Sequence, residues 1–90
     1  MDWTIRFSEE AIKQLQRMDK PQAKRVRDFL INRVMASGNP RLHGKALQGP
    51  LGDRWSYRVG DYRIICDIDD GVLTVLVLDV GNRREIYRRR

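Results

Sequence analysis

The sequence is short of several things at once. Among 90 residues it has one cysteine (Cys66), one histidine (His43), three prolines and no repeat or low-complexity stretch. A lone cysteine cannot close an internal disulfide, which sets aside the cross-linked secreted scaffolds. No cluster of His, Cys and carboxylates occurs at ligand spacing, so no metal or other cofactor is expected. No apolar run approaches the roughly 18 residues that a membrane helix needs, so no membrane partner is expected. The opening MDWTIRF carries an acid and lacks an apolar h-region, which does not suit a secretory signal. Together these absences favour a cytoplasmic protein. Ninety residues hold one small core, hence a single domain spanning 1–90.

Lysine is scarce as well: 4 against 14 arginines, within a net charge of +6. A surface made only for solubility has no reason to prefer arginine. The guanidinium is a flat fork of donors that matches phosphate oxygens. The charge is also unevenly spread: +3 over residues 1–40, +3 over 41–65, −4 over 66–81 and +4 over 82–90. A nucleic acid is therefore the leading partner class, with an acidic protein second. Hydrophobic residues at 41% and charged residues at 33%, interspersed, indicate a folded chain rather than a disordered one.

DWTIRF alternates Trp3, Ile5 and Phe7 with polar neighbours, the pattern of a half-buried strand. Ser8 suits a helix N-cap, with Glu9 and Glu10 near the positive helix end and Phe7 and Ile12 at staple positions. Ala11, Ile12, Leu15 and Met18 continue the apolar stripe. MDKP ends that helix; Asp19 is placed to cap the next and Pro21 to sit in its first turn. Ala23, Val26, Leu30 and Val34 recur at helical spacing until Gly38 stops them. The two helices form a hairpin expected to pack on a sheet. Residues 39–53 read as an irregular loop. RWSYRV and YRIICDI flank Gly60-Asp61, a two-residue hairpin signal. A turn at DDG leads into VLTVLVLDV, apolar on both faces and so expected inside the sheet. EIY is a candidate short final strand.

Strand parity sorts the side chains. Trp55, Tyr57 and Val59 share a face with Tyr62, Ile64, Cys66 and Ile68. Arg54, Ser56, Arg58 and Arg63 take the other. The two-residue turn sets Arg58 opposite Arg63, a repulsive pair unless an anion lies between them or Asp61, Asp67 or Asp79 neutralises them. In an extended tail, Arg83, Glu85 and Tyr87 share one parity. Lys45, Arg41 and Arg54 suit backbone-phosphate contacts that position without specifying sequence. Arg84 and Arg88 add cationic contacts. Cys66 reads as a small buried residue and His43 as a solvated or RNA-contacting one.

RVGDYRIICDI followed by DVGNRREIYR resembles the RelE/ParE superfamily of bacterial toxins, its RelE branch in particular. The likeness covers essentially the whole chain. It implies an α+β fold: an N-terminal strand and a two-helix hairpin on a curled antiparallel β-sheet, βααβββ with a short final strand. It implies a type II toxin that enters the ribosomal A site, cleaves messenger RNA and is neutralised by a cognate antitoxin. Arg63 matches the arginine beside the scissile phosphate, Arg83 a second phosphate-stabilising arginine, and Tyr87 the C-terminal catalytic tyrosine. Arg58 falls near a basic position on the preceding strand. Some members carry a lysine pair where this chain has Ser56 and Arg58, which leaves the general base open. A ParE-like toxin that inhibits DNA gyrase by binding, and a catalytically silent ribosome- or RNA-binding module, are the alternative readings.

Overall fold

The computed structural model describes residues 2–47 and 54–82. The opening alternation forms strand β1 (Thr4–Phe7), with Ile5 and Phe7 turned inward and Thr4 and Arg6 outward. Ser8 ends the strand and caps helix α1 (Glu9–Arg17): its Oγ accepts the Ala11 N–H at 3.1 Å. Helix α2 (Lys20–Asp28) starts after Asp19, with Pro21 in its first turn. Asp19 occupies the cap position but its side chain makes no capping bond, contrary to expectation. The helix then continues as a π-helical segment, Phe29–Met35, which the sequence did not reveal. Its i→i+5 bonding, seen in the Ala36 N–H to Ile31 C=O bond of 3.2 Å, widens each turn. Leu30 and Val34 within it are fully buried, as Val26 is in α2. Gly38, at φ +74°, ends the run.

Five strands form one sheet in the order β1-β5-β4-β3-β2. Strands β3 (Arg54–Val59), β4 (Tyr62–Asp69) and β5 (Thr74–Asn82) are antiparallel neighbours, while β1 runs parallel to β5. The α+β class and the helix hairpin on a sheet are as expected; the sheet is mixed rather than wholly antiparallel. Residues 39–53 are not all loop either, because Lys45–Leu47 form an edge strand, β2, against β3. Three residues are too few to show an alternation. The DDG turn is closed by Asp69, whose carboxylate accepts the Gly71 and Val72 N–H groups at 2.9 and 3.3 Å. Leu73 takes a left-handed φ of 48°, so β5 begins at Thr74 instead of Val72. EIY lies outside the described residues.

The core forms where the helices meet one sheet face: Ala11, Val26, Leu30 and Val34 against Tyr57, Val59, Ile64, Cys66, Val75, Val77 and Val80. β5 outruns its neighbour β1. The parallel ladder stops where the Ser8 N–H reaches the Val77 C=O at 2.9 Å. Beyond it, helix α1 supplies the partners that a strand would have given. Ser8 Oγ donates to the Leu78 C=O at 3.0 Å, and Gln14 Oε1 accepts the Val80 N–H at 2.6 Å. Gln14 Nε2 also donates to the Asp79 carboxylate. Gln14, a polar residue only 9% exposed, is thus an acceptor for a buried backbone donor.

Gly44 permits the β2–β3 contact. It has φ +78°, and a Cβ there would lie 2.2 Å from the Ser56 carbonyl oxygen. Gly44→Ala is expected to lower stability by about 2–4 kcal/mol, through backbone strain and overpacking, in urea unfolding. Gln14→Leu leaves the Val80 N–H unsatisfied and is expected to cost about 1–3 kcal/mol. Faster amide exchange at Val80 than at the β3–β4 amides distinguishes that local defect from a general loosening.

Candidate functional site

The sheet face opposite the helices carries the expected site residues of the hairpin, and the register arranges them in rows. Nearest the β3–β4 turn, Arg58 is paired with Arg63, and Arg63 with Gly81 of β5. In the next row Lys45 pairs with Ser56, Ser56 with Ile65, and Ile65 with Asp79. One row further, Arg54 stands beside Asp67.

The turn enforces this arrangement. Gly60 has φ +58° and Asp61 has no positive φ, the pattern of a type II′ turn with glycine first. That turn sets Val59 against Tyr62 and Arg58 against Arg63, as parity required. Arg58 is exposed, but Arg63 retains only 5% of its surface and Ser56 only 2%. An enclosed guanidinium has its direction fixed by its surroundings and is stable only where acceptors or anions surround it. On β5 the residue paired with Arg63 is a glycine, Gly81, itself buried.

Other predicted contacts already have work within the fold. Arg41 forms a two-pronged ion pair with Asp70, both bonds 2.9 Å, and lies 6.0 Å from the Trp55 ring centroid. Mutual hydrogen bonding raises the Arg41 pKa and lowers that of Asp70. Arg54 is 3.4 Å from Asp67. Among the described residues Arg58 forms no ion pair, and neither does Lys45. Asp79, diagonal to Arg63 in the register, receives the Gln14 amide. Asp67, one of the acids weighed as a partner for the Arg58–Arg63 pair, instead lies against Arg54. Arg83, Arg84, Tyr87 and Arg88 lie outside the described residues.

The loop before β2 is held firmly. Tyr57 donates to the Pro40 C=O at 2.6 Å and Trp55 Nε1 to the His43 C=O at 2.7 Å. The His43 ring meets Phe29 edge-on, with centroids 6.0 Å apart, so His43 packs on the helix instead of standing free in solvent. Burial pushes the Tyr57 phenol and the Cys66 thiol well above their usual pKa values. Both stay protonated near neutrality, which suits packing residues and not bases or nucleophiles. Gln14 and the hydrogen-bonded loop had no distinctive sequence signal.

A sequence profile described as the ParE toxin of type II toxin-antitoxin system, parDE, matches residues 5–87. Toxin RelG of Mycobacterium tuberculosis (strain ATCC 25618 / H37Rv) is 35% identical over 89 residues, covering 99% of this chain and 100% of the relative. Toxin RelE of the same organism is 31% identical over 84 residues, covering 93% and 84%. In the crystal structure of the toxin-antitoxin complex RelBE2 from Mycobacterium tuberculosis, one chain matches with a TM-score of 0.82 at 30% identity, covering 92% of this chain and 100% of that one. A mutant of the E. coli toxin RelE in the free state matches with a TM-score of 0.77 at 24% identity, covering 98% and 93%, and speaks for the fold alone. The enclosed arginine on a β-hairpin thus sits in a chain whose relatives share its full length, and this chain belongs to the ParE toxin family of type II toxin–antitoxin systems, alongside toxins named RelE and RelG.

Proposed function

We propose that this toxin is a metal-independent endoribonuclease that cleaves messenger RNA on the ribosome. The observation that carries the reading is the facing pair Arg58 and Arg63, on adjoining strands and away from the helices. Two like charges in one cross-strand pair are unfavourable by themselves. A phosphodiester between them reverses the sign of that interaction.

RNA brings its own nucleophile. The 2′-oxygen attacks phosphorus and the bond from phosphorus to the 5′-oxygen breaks. One fragment keeps a 2′,3′-cyclic phosphate and the other a 5′-hydroxyl. The 2′-hydroxyl proton passes to a base, and the departing 5′-oxygen takes up a proton. Extra negative charge gathers on the phosphorane oxygens in between. Arg63, held by its enclosure, suits that charge as preorganised positive potential, and Arg83 is the second candidate. Tyr87 is the candidate base or sugar-positioning group. Arg58 suits contact with the departing side. Arginine holds its proton too tightly to be an efficient acid, so it would act by hydrogen bonding. So sparse a set of groups fits an enzyme whose substrate is positioned by the ribosome.

Relatives of this chain include a toxin crystallised as a toxin–antitoxin complex. A cognate antitoxin with an acidic or amphipathic segment that covers the basic face is the matching partner here.

Primer extension on ribosome-bound messenger tests the reading. Wild type is expected to give discrete cuts with cyclic-phosphate ends. Arg63→Ala and Tyr87→Phe are each expected to slow cutting by about 100-fold or more, the usual loss for one preorganised group. Arg58→Ala, at an exposed position, is expected to weaken cutting while the melting temperature holds or rises, because the cross-strand repulsion is relieved. Growth arrest with intact messages and stalled gyrase supports the ParE-like alternative instead. Ribosome or RNA binding without cuts supports the silent module.

A further inference from the structure

Helix α2 brings a third guanidinium to the hairpin that carries Arg58 and Arg63. Val26 and Ala23 are buried and fix which side of the helix faces the sheet. Arg25 then projects over the β3–β4 turn. Its guanidinium nitrogens lie 3.3 Å from where a Cβ on Gly60 would stand. Gly60 thus does two things: it adopts the left-handed conformation of the turn, and it leaves the space that Arg25 occupies.

Arg25 is exposed, and its hydrogen bond to Gln22 Oε1 is long, at 3.4 Å. Among the described residues it makes no ion pair. Asp61, the second turn residue, is the adjacent acid, and it too forms no ion pair among them. Only the Val59–Tyr62 pair separates the turn from the Arg58–Arg63 pair. Cations therefore bracket the turn from two sides, Arg25 from the helix side and Arg58 and Arg63 from the open sheet face. A single phosphate cannot span that bend, whereas a flexible single strand with one charge per nucleotide can follow it.

We propose that Arg25 is a substrate-positioning residue that binds a backbone phosphate of single-stranded RNA next to the phosphate held by Arg58 and Arg63. The inference deepens the reading of the site as one for RNA. Arg25 then supplies affinity and register and takes no part in the bond-breaking step.

Arg27 provides the control. It is exposed on the same helix and makes no ion pair among the described residues, but it leaves the helix about 200° away from Arg25. Arg25→Ala and Arg27→Ala remove the same charge. Binding of a 2′-O-methyl oligoribonucleotide, which has no free 2′-hydroxyl to attack, is followed by fluorescence anisotropy over a range of salt concentrations. One lost phosphate contact on a single strand makes the slope of log K against log salt shallower by about 0.7. That change is expected for Arg25→Ala, while Arg25→Lys and Arg27→Ala keep the wild-type slope. Equal slopes for the two alanine variants, or no measurable binding by the wild type at low salt, overturn the proposal. A parallel ribosome-bound cleavage assay of the wild type separates the two questions. Absence of cuts there refutes the nuclease reading, whereas the slope comparison alone decides the role of Arg25.

Discussion

The cross-strand register of the β3–β4 hairpin is the constraint on which the rest of this molecule depends. A two-residue turn with Gly60 at positive φ admits one pairing, Val59 with Tyr62. From that pairing every side chain on both strands is assigned a face. Tyr57, Val59, Ile64 and Cys66 go under the helices, where all are buried. Arg54, Ser56, Arg58 and Arg63 go to the other side. A slip of one residue exchanges the two sets, putting arginines into the core and aliphatic groups outside. The burial that stabilises the fold and the convergence of cations are thus one decision made at one turn.

The open sheet face is graded in charge. Toward the β4–β5 turn an acid meets the arginine: Asp67 approaches Arg54. Toward the β3–β4 turn the cross-strand pair is Arg58 with Arg63. The first end spends its cation on a cross-strand ion pair; at the second Arg58 is exposed and Arg63 is enclosed beside Gly81. Composition alone treats all of these arginines alike. The ladder separates them by what stands opposite: an acid for Arg54, a second arginine for Arg58.

Much of this was legible in the sequence because it rests on short-range rules. Alternation gave β1, the helical period gave Ala23, Val26, Leu30 and Val34, and the Gly60-Asp61 pair gave the hairpin and the Arg58–Arg63 pairing. What escaped was set by tertiary context. Gln14 looks like a surface residue of an amphipathic helix until β5 is seen to extend past β1. The edge strand at Lys45–Leu47 depends on Gly44 fitting against the Ser56 carbonyl, an encounter across 12 residues of chain. The parallel pairing of β1 and the π-helical turns leave no local signature. For the terminal arginines and Tyr87, family resemblance remains the ground for their roles.

β5 contains one residue more than its neighbour needs. Ile65 faces Asp79 and Cys66 faces Val77, so Leu78 has no counterpart, and Ser8 accommodates it from the helix cap. The insertion shifts the phase of the strand's two-fold alternation. Before it the odd-numbered Val75 and Val77 are buried; after it the even-numbered Val80 is. Were the strand in step throughout, Val80 would stand beside Arg63 and Gly81 would face the helices, leaving a gap in the core and a bulky aliphatic group against the arginine. A single unpaired residue, 15 positions from Arg63 in the chain, therefore decides that the arginine's neighbour is the smallest side chain available.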